Sequence, residues 1–185
     1  MASSRFSCNA VFCGLVLFVA VLVLTVQATD SGRRFRTFQP CNSTKYSTLP
    51  AKLFLKGCEE KPVCPLYRGD SVTMEVQFVS PIDTTSVYRS MYGCFGASRR
   101  RRETRVRYGR EVNVCNVTAS ASGESCTQNH GLKQGVEYIQ SGTFRVMQYF
   151  PKVSVNVEIE LYAKERRIVK PLACVRVPVQ IMDRS

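Results

Sequence analysis

The stretch Val153-Ser154-Val155-Asn156-Val157-Glu158-Ile159-Glu160-Leu161 decides the fold class. Aliphatic side chains occupy every second position, and Ser, Asn and two Glu fill the gaps. A period of two places five aliphatics on one face of a strand and the polar residues on the other, toward water. Working outward, the same alternation returns in Val175-Arg176-Val177-Pro178-Val179-Gln180-Ile181. Pro178 cannot donate to a ladder, which predicts an edge strand or a bulge there. Upstream, Val72-Thr73-Met74-Glu75-Val76-Gln77-Phe78 points Val72, Met74, Val76 and Phe78 to one side.

Weaker alternation marks further candidate strands over 33–38, 52–56, 86–92, 105–114 and 136–146. Turn signals separate them: Arg68-Gly69-Asp70, Pro81, Gly123, Gly131, Gly135 and Pro151. Little of the chain reads as helix. About eight short strands with one apolar face each are not stable singly, and two sheets packed face to face bury them. The chain has no Trp, so it lacks the Cys…Trp…Cys signature of antibody domains.

The N-terminus speaks for the secretory route. Arg5 precedes an almost purely apolar run, Ala10 to Val26, and Val26-Gln27-Ala28 offers small or apolar residues to a signal peptidase. A signal peptide over 1–28 is expected, with cleavage after Ala28. The competing reading is a retained anchor, for which the run is near the lower length limit. Residues 29–185 then form a single domain, with no Pro/Gly/Ser-rich linker and no internal repeat.

Nine cysteines are present, and two of them, Cys8 and Cys13, leave with the signal peptide. Cys41, Cys58, Cys64, Cys94, Cys115, Cys126 and Cys174 remain, a disulfide framework with one thiol left over. Zinc is a poor alternative, because there is no CxxC pair and His130 is the single histidine. Two sequons, at Asn42 and Asn116, agree with secretion and predict N-glycosylation.

The formal charge of the whole chain is +12. Such a field favours anionic partners such as membrane head groups, glycosaminoglycans or acidic proteins, or serves solubility alone. Nucleic acid is not expected for a secreted chain. With one His and no Gly-rich phosphate loop, no nucleophile–base pair is visible, so neither catalysis nor a cofactor is expected.

The cysteine order and its surroundings carry a resemblance. Cys58 and Cys64 bracket a short Pro-containing loop, followed by Pro65-Leu66-Tyr67-Arg68-Gly69-Asp70 and the Val72–Phe78 strand. Cys115 and Cys126 bracket a second loop, followed by Gly131-Leu132-Lys133-Gln134-Gly135-Val136-Glu137-Tyr138. Tyr149-Phe150-Pro151, the long alternating strand and a closing Cys174–Ile181 segment complete the pattern. Over about Phe38 to Ile181 the chain resembles the ML (lipid-recognition) domain of Niemann-Pick type C2 sterol carriers and mite group 2 allergens.

The resemblance implies an all-β, immunoglobulin-like β-sandwich of two antiparallel sheets, splayed around a hydrophobic cavity. It implies bridges Cys41–Cys174, Cys58–Cys64 and Cys115–Cys126, and the function of a secreted lipid or sterol carrier, extracellular or lysosomal. It places pocket aromatics at Phe78 and Tyr138. Alternation adds Val76, Val106, Phe144, Val146, Val155, Val157 and Val177 as candidate lining residues, against plain core packing. The alternative function is an innate-immune lipid-recognition or anionic glycan- and receptor-binding module acting through the basic segment 99–110.

Two features depart from the family pattern. Cys94 has no obvious partner, and is a buried thiol, an intermolecular bridge or a member of a shuffled framework, so the oligomeric state stays open. Arg99-Arg100-Arg101-Arg102 lies between two candidate strands. It is a solvated hairpin tip, a site for anionic lipid head groups or glycosaminoglycan, or a target for a furin-like protease. Arg68-Gly69-Asp70 spells an integrin-recognition triplet, but sits where the family has a plain turn.

Overall fold

A computed structural model describes residues 34–39, 41, 44–46, 49–96 and 103–184. The expected signal peptide 1–28, Asn42 and Arg99–Arg102 lie outside the described residues. Among the described residues nine strands follow in order: β1 (Ala51–Leu55), β2 (Cys64–Tyr67), β3 (Ser71–Val79), β4 (Tyr88–Phe95), β5 (Thr104–Asn113), β6 (Thr118–Ser120), β7 (Glu137–Arg145), β8 (Ser154–Glu165) and β9 (Ile168–Met182). They form two sheets, one of order β1-β3-β7-β6 and one of order β2-β9-β8-β4-β5. Pairing is antiparallel throughout except between β2 and β9, which run parallel.

Alternation places the core. Met74, Val76 and Phe78 of β3 face Ile159 and Leu161 of β8 and Val175, Val177 and Val179 of β9 in one buried cluster. Fully burying each such side chain stabilises by about 1.5–3 kcal/mol relative to leaving it in water. The structure joins Cys41 to Cys174, Cys58 to Cys64 and Cys115 to Cys126, and leaves Cys94 buried and unbonded.

Three expectations need correction. Residues 33–38 mix basic and aromatic side chains, yet the described part makes only an isolated bridge, Arg36 with Leu53. The closing strand is no edge, because β9 lies between β2 and β8. Pro178 stands one residue before the pairing with β2 begins at Val179, so a missing donor is tolerated there. Finally, Glu158 and Glu160 do not face water. They are buried on the outer side of β8, where guanidiniums cover them. Arg176 Nη1 lies 3.1 Å from Glu158, while Arg105 Nε lies 2.9 Å from Glu158 and its Nη2 2.8 Å from Glu160.

Candidate functional site

The interior is meshed at one end and hollow at the other. At the meshed end Phe78 and Tyr138 face each other in register across β3 and β7, with ring centroids 6.3 Å apart. The Lys133 amide donates to the Tyr138 hydroxyl at 2.9 Å, which satisfies the phenol inside the core. Toward the other end, the inward positions Met91, Gly93 and Phe95 of β4 face Phe144 of β7 and Val146 just beyond it, with Val155 and Val157 of β8 beside them. These residues enclose a cavity of about 150 Å³ with an almost entirely carbon lining.

Gly93 pairs with Val157 in the β4–β8 register, and the ring of Phe95 folds over it, 3.0 Å from where a Cβ would stand. The cavity reaches solvent beside Val106 of β5, which is 53% exposed. Aromatic rings flank this mouth. Tyr108 packs edge-on against Phe144 and Phe150, at 6.3 and 5.7 Å between centroids. Its hydroxyl donates to the Arg145 carbonyl at 2.7 Å and so ties β5 to β7.

The loop carrying Phe150 is anchored by charge. Arg68 donates from Nε to Asp183 at 2.6 Å and from Nη1 to the Phe150 carbonyl, and Lys152 lies 2.6 Å from the same Asp183. Hydrogen bonds from Lys152 and Arg68 hold the Asp183 carboxyl below its usual range. Asp70 pairs with Arg184 at 2.8 Å. Both charges of the Arg68-Gly69-Asp70 turn are therefore engaged within the domain, with Gly69 at a φ of 87°.

Of the nine lining candidates, Val106, Phe144, Val146, Val155 and Val157 come together around the cavity. Phe78, Tyr138, Val76 and Val177 do not line it; they belong to the meshed core. Leu66, Met91, Gly93, Tyr108, Phe150 and Ile181 also line the cavity and were not among the candidates. The inward alternation of β9 could have given Ile181, and the Tyr149-Phe150-Pro151 motif could have given Phe150. Nothing in the sequence marks Gly93.

Two other groups bear on function. Asn116 is exposed in a short 3₁₀ turn, Cys115–Val117, where a glycan has room. Cys94, Glu103 and Glu158 bring potential metal-ligand atoms within 4.8 Å of one another. Arg176 already supplies positive charge to both carboxylates, so the cluster is a closed ion-pair network.

A family model described as the ML domain matches residues 36–181. The chain belongs to the ML-domain family. This ML domain therefore falls in a lipid-binding family, one whose fold is not an enzyme scaffold. Among solved structures, a Niemann-Pick type C2 protein from Japanese carpenter ant matches it with a TM-score of 0.58 and 20% identity, over 80% of this chain and 100% of that one. At that identity the likeness speaks for the fold alone. A sporulation control protein, Spo0M, from Bacillus subtilis matches at a TM-score of 0.40 and 14% identity over 72% of this chain and 49% of that one, and carries no argument. No curated protein matches the chain.

Proposed function

We propose that the protein is a secreted, non-enzymatic carrier that shields an apolar lipid between its two sheets. One observation carries this reading: the cavity of about 150 Å³, dry in character, whose mouth is bordered by Val106, Tyr108, Phe144 and Phe150. An apolar cavity of that size takes roughly a benzene-sized group. A longer chain enters when the half-buried rings of Phe144 and Phe150 swing aside. Each methylene moved from water into such a site contributes about 0.8 kcal/mol, before ordering costs.

Secretion, with cleavage after Ala28, is supported by the apolar N-terminal run, three bridges and the exposed sequon at Asn116. The basic surface suits docking on anionic membranes. The glycan- or receptor-binding alternative rests on Arg99–Arg102. In the described part of that segment, Arg105 and Arg107 are engaged by Glu158, Glu160 and Glu111 rather than free for a partner.

Uptake of fluorescent fatty-acid, alcohol and sterol probes tests the reading, comparing the natural chain with Val157→Phe. Val157 lines the cavity, and the larger ring fills it. The natural chain is expected to take up at least one probe at stoichiometric levels, and the variant to lose it while keeping its unfolding midpoint within a few degrees. Equal uptake by both proteins would place the ligand elsewhere, and no uptake by either would end the carrier reading.

A further inference from the structure

Two buried polar atoms without partners lie one to two inward positions beyond the cavity lining, which includes neither Arg89 nor Gln140. Among the described residues, Arg89 Nη1 and Gln140 Oε1 are buried and make no hydrogen bond. Gln140 is 0% exposed. Arg89 precedes the cavity residue Met91 by two positions on β4, and Gly142 precedes the cavity residue Phe144 by two on β7. Because side chains alternate, Arg89 and Gly142 are the next inward positions on the two facing strands. The contact across the sheets bears this out. Arg89 Nη1 lies 2.0 Å from the point where a Cβ on Gly142 would stand, and Gln140 Nε2 lies 3.4 Å from it. Gly142 thus leaves the space that the guanidinium occupies.

This arrangement costs stability as it stands. A half-buried cation without a counter-charge is unfavourable, and so is a fully buried acceptor without a donor. Burial alone depresses the Arg89 guanidinium pKa, with no carboxylate acting on it. An apolar residue at position 89 would extend the core more cheaply.

We propose that Arg89 and Gln140 anchor the head of the cargo, and that this head is a carboxylate: the ligand is a single-chain fatty acid. The proposal rests on the carrier reading and narrows it. One carboxylate oxygen accepts from Arg89 Nη1. A water donates one proton to the second oxygen and the other to Gln140 Oε1, so both orphan atoms are satisfied. The methylene chain runs outward past Met91, Phe144 and Val157 to the mouth at Val106. A charge-assisted hydrogen bond is about twice as strong as a neutral one, so this geometry separates an acid from an alcohol of equal length.

The test uses the full chain produced through a secretory host with its bridges formed. A fluorescent long-chain fatty acid, the alcohol with the same chain and fluorophore, and a fluorescent sterol are titrated at neutral pH. The acid is expected to bind about tenfold to a hundredfold tighter than the alcohol. Arg89→Met is expected to erase that preference while leaving the alcohol unchanged and the unfolding midpoint equal or higher. Gly142→Ala, which displaces the guanidinium, is expected to weaken the acid selectively, and Arg89→Lys to retain part of the preference. Equal binding of acid and alcohol by the natural chain overturns the proposal, as does unchanged acid binding in Arg89→Met and Gly142→Ala. Binding of alcohol or sterol without acid overturns it while the carrier reading stands. Failure of all three probes removes both.

Discussion

At the scale of single residues, Cys94 separates a structural thiol from a reactive one. It sits on the outward side of β4, buried beside Glu158 and Glu103. Burial first, and the two carboxylates second, push its pKa up to about 11. A thiol held protonated at neutral pH is a poor nucleophile. Iodoacetamide at pH 8 should therefore leave the folded protein unmodified and add one equivalent only after denaturation; fast native labelling would show an accessible thiolate. The same shift gives a pH dependence. In the unfolded chain the thiol ionises near 9, in the folded protein near 11. Its contribution is present in full below 9 and is lost as the pH rises through 11. Cys94→Ala should flatten that part of an alkaline unfolding profile. Cysteine spacing left three fates open for this residue, because spacing carries no information on which thiols lie within bridging distance in space.

At the scale of elements, β8 shows what alternation reveals and what it hides. Its inner face was legible, since Val155, Ile159 and Leu161 are buried as their period demands. Its outer face was not, because Glu158 and Glu160 are satisfied by Arg176 and Arg105, which arrive from β9 and β5. A buried ion pair broken on one side costs about 3–5 kcal/mol, whereas an exposed pair is worth at most about 1 kcal/mol. Glu158→Ala should accordingly cost several times more in urea unfolding than Glu165→Ala, which removes the surface pair with Lys170. Similar losses for the two would mean that the network is solvated. The strands that were missed are short: β2 has four residues including Pro65, and β6 has three, so neither repeats the alternation more than twice. The cavity escaped for a different reason. Alternation tells inward from outward, and it found Val106, Phe144, Val146, Val155 and Val157. Whether inward side chains mesh or stand apart depends on how far apart the facing strands lie, which the alternation of one strand does not carry. Phe78 and Tyr138 point inward as expected, but where the sheets are closed.

At the scale of the whole molecule, the sandwich is closed by one long covalent tie and two local ones. Cys41–Cys174 spans 133 residues and fastens the segment before β1 to the last strand. Cys58–Cys64 and Cys115–Cys126 span 6 and 11. A cross-link restricts the unfolded chain more strongly the longer the loop it closes. The chain-entropy model assigns about 5 kcal/mol to the first bridge and about 2 and 3 kcal/mol to the others. Gln39, two residues before Cys41, also bridges to Arg176, two after Cys174, so losing the long tie frees the flap over the outer face of β9. Double Cys→Ala variants of each bridge, unfolded in urea, should rank in that order, with Cys41→Ala/Cys174→Ala lowest in midpoint. That variant should also label more readily at Cys94, whose neighbours Arg176 and Glu158 lie on the same outer face. If a short bridge proves the costliest to remove, the stability of the fold comes from local clamping rather than from joining its two ends.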